Sequence, residues 1–226
     1  MNYAIEFFSS HYDHLHSTSR KRTLKHVWLR VRSGLALIKL GKTEFAVEPN
    51  QLFWLPQDCL SAVTFLPNSH IDQCHFSVRL NDRFSHQAGF VTSTPLVSAL
   101  FDTLVDFQEC DANMPNDKAE ARHELLVVLK RQATQITPLL TENSLTQHLT
   151  QWQAKLLKGV LPQTDQPQTD KDSALSQELK LALLVREAQK RRLSGQAHDV
   201  IVEQLFDNNE SQYQQATSLV LGEPLR

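Results

Sequence analysis

From Gly34 to Val63 the chain reads GLALIKLGKTEFAVEPNQLFWLPQDCLSAV, a succession of short apolar runs separated by polar breaks. Leu35, Leu37 and Leu40 precede a turn at Gly41-Lys42. Phe45 and Val47 alternate with polar partners up to Glu48-Pro49-Asn50, and Leu52, Trp54 and Leu55 lead to Pro56. Alternation with period two places one side of each segment on a core and the other in water, which predicts short antiparallel strands. Flanking runs extend the pattern: Tyr3 to Phe8, Val27 to Val31, Ala62 to Leu66, Ile71 to Leu80 and Gly89 to Thr92. That strand density is the density of a sandwich or a jelly-roll barrel, so residues 1–92 are expected to be all-β.

At Ser93-Thr94-Pro95 the period changes. A Ser or Thr cap with Pro at the first helical position precedes Leu96, Leu100, Leu104 and Phe107 at helical spacing. DANMPND interrupts this helix, and Ala119 to Ala133 resumes it with Leu125, Leu126, Val128 and Leu129. These two helices, spanning 93–134, either form a dimer seam or pack back on the barrel. Asn143 to Lys158 predicts a third helix with Leu145, Leu149, Trp152 and Leu156 on one face. The tandem PQTDQPQTD, Pro162 to Asp170, reads as a linker because proline removes amide donors. Ser173 to Arg192 is helical again and Gly195 ends it; Asp199 to Leu205 and Glu210 to Leu221 are two short helices around FDNN.

Composition narrows the classes of partner. The 226 residues are 41% hydrophobic and 21% charged with a formal net charge of -2, which provides no global attraction to nucleic acid or to a membrane. No apolar run reaches the roughly 18 residues of a membrane span, and MNYAIEFFSSHYDH lacks a basic leader region, so a cytoplasmic protein is expected. Cys59, Cys74 and Cys110 show no paired spacing and are expected to be free thiols.

Two short helices of about seven and twelve residues joined by a polar turn have the dimensions of a helix-turn-helix. Ile201-Val202, Leu205-Phe206, Ser211-Gln212-Tyr213, Leu221-Gly222 and Pro224 resemble the second helix-turn-helix of bacterial transcription factors of the arabinose-regulator (AraC) type. Ser33-Gly34, Pro49-Asn50 and Trp54-Leu55-Pro56 resemble the cupin sensor domain of that family, and Thr94-Pro95-Leu96 resembles the start of its interdomain helices. The resemblance implies an α+β chain: an N-terminal cupin-like double-stranded β-barrel (1–92), interdomain or dimerisation helices (93–134) and a helical domain (135–226) with a degenerate helix-turn-helix. It implies a transcriptional regulator that senses a small effector through the barrel, works as a homodimer or with another regulator, and contacts DNA.

The departures from the family are chemical. PQTDQPQTD occupies the place of the first recognition helix. In the second unit, positions that are basic in the family are Gln215, Thr217 and Ser218, and Asp199, Glu203, Asp207, Glu210 and Glu223 face a single Arg226. Phosphate contacts carry most non-specific affinity, so DNA binding is expected to be weak. The candidate contacts are Arg186, Lys190, Arg191 and Arg192 for phosphates, with Ser211, Gln212, Gln214 and Gln215 on the second helix. The alternative is a regulatory interaction protein that keeps the fold and acts by protein contact. Aromatic residues expected to line an effector pocket are Trp28, Trp54, Phe45 and Phe65.

A metal-dependent cupin enzyme is the third reading. Such a site needs three or four imidazoles or carboxylates aimed into one cavity. His11, His14 and His16 are not followed by a carboxylate at cupin spacing, and Cys74 and His75 are adjacent and so point to opposite faces of a strand. Phosphate loops and nucleophile elbows are missing from the sequence, so neither a metal, a cofactor nor a catalytic residue is expected.

Overall fold

The computed structural model describes residues 4–109, 116–157 and 175–223. Its strands are β1 (Ile5–Tyr12), β2 (His16–Ser17), β3 (Lys21–Arg22), β4 (His26–Ser33), β5 (Ala36–Leu40), β6 (Thr43–Val47), β7 (Leu52–Leu55), β8 (Leu60–Phe65), β9 (Ser69–Phe76) and β10 (Gly89–Val91). One sheet has the order β1-β9-β4-β7-β10; the other has the order β2-β8-β5-β6, with β3 also on β8. Among the described residues every pair is antiparallel, and the chain passes back and forth between the sheets around the hairpin β5-β6. This interlacing of two five-stranded sheets is a double-sheet jelly roll, the architecture that cupins use. The two-residue strands β2 and β3 fall outside the predicted strands; His16, Ser17, Lys21 and Arg22 are exposed at the sheet edge and carry no apolar signal.

The corner between β4 and β5 depends on Gly34. Its φ is +77°, and a Cβ there would lie 2.3 Å from the Ser69 hydroxyl and 2.7 Å from the Ser69 Cα. Only glycine fits a left-handed residue pressed on another backbone. The same Ser69 hydroxyl, 3.0 Å away, accepts the Leu35 N–H.

Among the described residues six helices follow: α1 (Pro95–Glu109), α2 (Asn116–Ala133), α3 (Ser144–Leu157), α4 (Gln177–Leu193), α5 (His198–Phe206) and α6 (Glu210–Leu221). They fall in two layers. The outer face of the β1-containing sheet, with Phe7, Trp28, Trp54 and Phe76, is covered by Val97, Phe101 and Leu104 of α1 and Leu126 and Leu129 of α2. Most of the apolar stripe of α1 and α2 is therefore buried on the barrel, with Val97 and Phe101 added to it, while Leu96 and Val128 stay exposed. The outer face of the second sheet, through Leu37 and Ala46, is covered by α3 to α6. Between the sheets lie Leu29, Val31, Ile38, Phe45, Val47, Phe53, Leu55, Phe65 and Ile71.

Two-sided coverage corrects the expectation that each strand keeps one face in water. All four residues of β7 are buried, as are Ala36 to Ile38 in β5 and Glu44 to Val47 in β6. Continuous apolar runs such as LFWL mark strands buried on both faces. The helices also cover sheet edges, where unpaired backbone groups invite pairing with another chain. On β1, the Gln108 amide of α1 accepts the Ser9 N–H at 2.6 Å and donates to the Ser9 carbonyl at 2.9 Å. On β6, Thr146 Oγ1 accepts the Ala46 N–H at 3.0 Å, and Asn143 Nδ2 donates to the Ala46 carbonyl at 2.9 Å. On β10, Phe90 and Leu139 exchange two backbone bonds of 2.9 Å.

The linker tandem Pro162 to Asp170, Cys110 and Pro224 lie outside the described residues. Cys59 and Cys74 are free thiols, and no helix among the described residues is long and apolar enough to cross a membrane.

Candidate functional site

The helices α4, α5 and α6 form the unit that the sequence singles out. α4 begins at Ser176, whose hydroxyl accepts the Leu179 N–H, and ends with the basic run Lys190, Arg191, Arg192 near its negative pole. α5 buries Ile201, Val202, Leu205 and Phe206. Asp207 and Asn208 then take left-handed backbone angles, and Asn209 caps α6 by accepting the Gln212 N–H at 3.0 Å. Tyr213, buried, meets Phe206 edge to face at 5.2 Å and His198 at 5.1 Å. Thus α5 and α6 are two helices on a three-residue turn, held together by their facing apolar stripes and docked on α4.

The eight candidate DNA contacts do not form one surface of free charge. Arg186 points into the protein: Nη1 lies 2.8 Å from Glu44 Oε1, Nη2 lies 2.7 Å from Glu44 Oε2, and Nη1 also reaches Thr64 Oγ1 at 3.3 Å. Arg191 donates to Glu187 Oε1 at 3.0 Å and to Gln204 Oε1 at 2.8 Å, and Lys190 pairs with the same Glu187 at 3.3 Å. Arg192 lies by Tyr213. Ser211, Gln212, Gln214 and Gln215 are exposed on α6, but Gln214 donates to Glu210 Oε1 at 2.8 Å.

Sequence reasoning missed Glu44, the residue around which this layer closes. It stands on β6 facing outward, and Gln153 of α3 donates to its Oε2 at 2.6 Å while Arg186 of α4 grips both oxygens. Burial pushes its carboxyl up; the hydrogen bonds and charge of Arg186, with Gln153 and Lys39, outweigh burial and hold it below the usual carboxylate value. A lone acidic position in an otherwise apolar β6 face was the available signal: TEFAV has one outward carboxylate with nothing in the strand to neutralise it.

The four candidate effector contacts separate onto two faces. Phe45 and Phe65 lie between the sheets, where Phe45, Phe53 and Phe90 contact one another and Phe65 contacts Tyr12 at 4.4 Å. Trp28 and Trp54 lie on the outer face under α1, with Trp28 edge to face on Phe101 at 5.8 Å and Trp54 Nε1 donating to the Ser85 carbonyl at 2.9 Å. Alternation along β4 and β7 forces this split, since Leu29 and Phe53 take the inward positions. No single cavity can be lined by all four. His11 and His70 stack at 4.0 Å across β1 and β9, and among the described residues no three His, Cys, Asp or Glu side chains converge to hold a metal ion.

Fold and site together define a jelly-roll protein of cupin-like architecture with a helical layer fused to its second sheet. No family model matches the chain, and no curated protein matches it. Among solved structures, a cupin superfamily protein from Desulfitobacterium hafniense aligns with a TM-score of 0.32 at 12% identity over 34% of this chain and 71% of that one. An RmlC-like cupin from Shewanella frigidimarina aligns at 0.31 and 10% identity over 35% and 71%. An HTH_3 family transcriptional regulator from Vibrio cholerae aligns at 0.29 and 11% identity over 34% and 44%. Likenesses of this size bear on no residue's role.

Proposed function

We propose that the protein is a regulatory interaction protein of the arabinose-regulator type, in which α5 and α6 form a degenerate helix-turn-helix that contacts protein rather than DNA. The observation that carries this reading is the grip of Glu44 on Arg186, which removes from solution the cation best placed ahead of the motif. Glu187 neutralises part of the remaining run through Lys190 and Arg191. The outward positions of α6 are Glu210, Ser211, Gln212, Gln214, Gln215, Ser218 and Leu219, without a cation among them. Glutamines can read adenine edges, but base contacts do not supply the phosphate attraction that brings a protein onto duplex DNA. The partner on this reading is a second copy of the chain or another regulator, and the protein is neither an enzyme nor a membrane protein.

The test is retention of the full chain on a random-sequence duplex of about 200 base pairs at low salt, the condition most generous to phosphate-driven binding. No retention is expected. Retention that disappears when Lys190, Arg191 and Arg192 are all changed to Ala would replace this reading with a DNA-binding regulator working from the end of α4.

A further inference from the structure

Where the jelly roll meets the helices, the β1-β2 loop, the turns at Gly34-Leu35 and Pro67-Asn68, the start of α4 and the end of α6 frame a half-open cavity of about 570 Å3. Leu66, Leu179 and Val220 are buried in its wall, with Leu35 and Leu181 half-buried beside them. Asp13, His14 and Glu178 are its exposed ionisable groups, and Leu219 stands at its mouth with 69% of its surface in solvent. The volume is within the range of small-molecule sites, and the junction of two structural units is where such sites concentrate.

We propose that this cavity binds a small amphipathic amine, its hydrocarbon body against Leu66, Leu179 and Val220 and its ammonium group against Glu178 and Asp13. The charge of the lining selects the ligand class. Glu178 lies in the first turn of α4, where the helix dipole favours an anion, and among the described residues it has no hydrogen-bond or ion-pair partner. Asp13 engages His11 Nδ1 through Oδ1 at 3.1 Å and keeps Oδ2 for another donor. Two carboxylates against one imidazole repel an anion of the same shape.

The same residues join the cavity to α6. The Leu15 N–H donates to the Val220 carbonyl at 2.8 Å, tying the β1-β2 loop to the end of that helix. The His14 ring covers Gly222, the left-handed cap of α6, so closely that a Cβ there would lie 2.6 Å from it. A ligand in this place touches the jelly roll, α4 and α6 at once and favours their docked arrangement. Leu219 belongs to both surfaces, and binding to the chain alone requires no partner on α6.

The experiment is an NMR shift titration of the full chain with hexylammonium, using hexanoate and hexan-1-ol as probes of matched length. Saturable shifts at Leu179, Leu219 and Val220 are expected with hexylammonium, with hexanol about two- to fivefold weaker and hexanoate weaker than hexanol. Glu178→Gln brings hexylammonium down to the level of hexanol, and Leu219→Trp blocks both by filling the mouth. Both positions are exposed, and unchanged shifts elsewhere establish that the variants fold. The proposal is overturned by an absence of saturable shifts, by equal affinity for the three probes, or by shifts centred on Phe45 and Phe65 between the sheets.

Discussion

Changing Arg186 to Ala removes one half of the bond between the jelly roll and its second helical layer. In the native chain the guanidinium approaches both oxygens of Glu44, at 2.8 and 2.7 Å, and the Glu44 side chain is only 8% exposed while that of Arg186 is 20% exposed. After truncation the carboxylate keeps the Gln153 amide at 2.6 Å and the more distant charge of Lys39, and it loses its ion-pair partner. Breaking a buried pair from one side costs about 3–5 kcal/mol; with a fifth of the arginine already in solvent, water reaches part of the gap, and about 2–4 kcal/mol is the expected loss. Urea unfolding should show it as a lower midpoint at an unchanged slope.

The pH dependence separates this cause from simple loss of packing. Native Glu44 is held below its ordinary value of 4.5, so the contribution of the pair is fully present above that value and is lost as pH falls through the folded value. In the Ala variant the carboxyl is buried with only Lys39, opposite it on β5, left to offset the burial, so its pKa rises and protonation relieves the cost. The deficit should therefore shrink between about pH 7 and about pH 5. Replacing both residues with Met should recover most of the loss, because a well-packed apolar pair of similar volume is close to neutral. A deficit below about 1 kcal/mol at neutral pH, or one that stays constant on acidification, refutes the assignment of Glu44 as the centre of this layer.

Other perturbations follow from the same geometry. Gly222→Ala combines a φ of +79° with a Cβ 2.6 Å from the His14 ring and should cost about 1–3 kcal/mol in thermal unfolding, with His14→Ala in the same chain returning the steric part. Burial first, and the charge of His86 second, hold His26 below its ordinary 6.5, and its Nδ1 accepts the Gln57 N–H at 3.1 Å. The unfolded chain binds that proton more readily, so stability should fall as pH drops below about 6.5, a slope in urea midpoint that His26→Asn reduces. Trp28→Ala should cost about 3–5 kcal/mol by opening the layer under Phe101, and it should leave hexylammonium binding unchanged.

Much of the fold is legible from period alone. Pro95 and the Leu spacing after it place α1, the Gly-Lys, Pro-Asn and Pro-Asn-Ser breaks place β5 to β9, and Glu210 to Leu221 coincides with α6 to the residue. What period does not carry is which face a strand residue takes when both faces are buried. In β7 every residue is apolar, so nothing in Leu-Phe-Trp-Leu says that Phe53 turns inward and Trp54 outward; the partner strands and the helices above decide that. The same limit hid Glu44, because its significance lies in Arg186, 142 positions away. Charge counting read Arg186 as a free cation since a sequence shows the charge and not its counterion.

A jelly roll with apolar residues on both faces of both sheets cannot be left as a bare sandwich, since either uncovered face would present a contiguous apolar patch to water. α1 and α2 cover one face and α3 to α6 the other, and the second cover is fastened at three separate places: Thr146 and Asn143 on the β6 edge, Arg186 on Glu44, and Leu15 on the end of α6. A helical unit tied in this way is not a domain that swings on a tether. Its exposed side, α6 from Ser211 to Leu219, is presented at an orientation fixed by the barrel, and whatever changes those fastenings changes how that side is presented. Of the three, the Leu15 fastening borders the cavity proposed above to take a small amphipathic amine, and on that proposal the loop at Asp13-His14, and not the filled space between the sheets, is where a ligand would act on this fold.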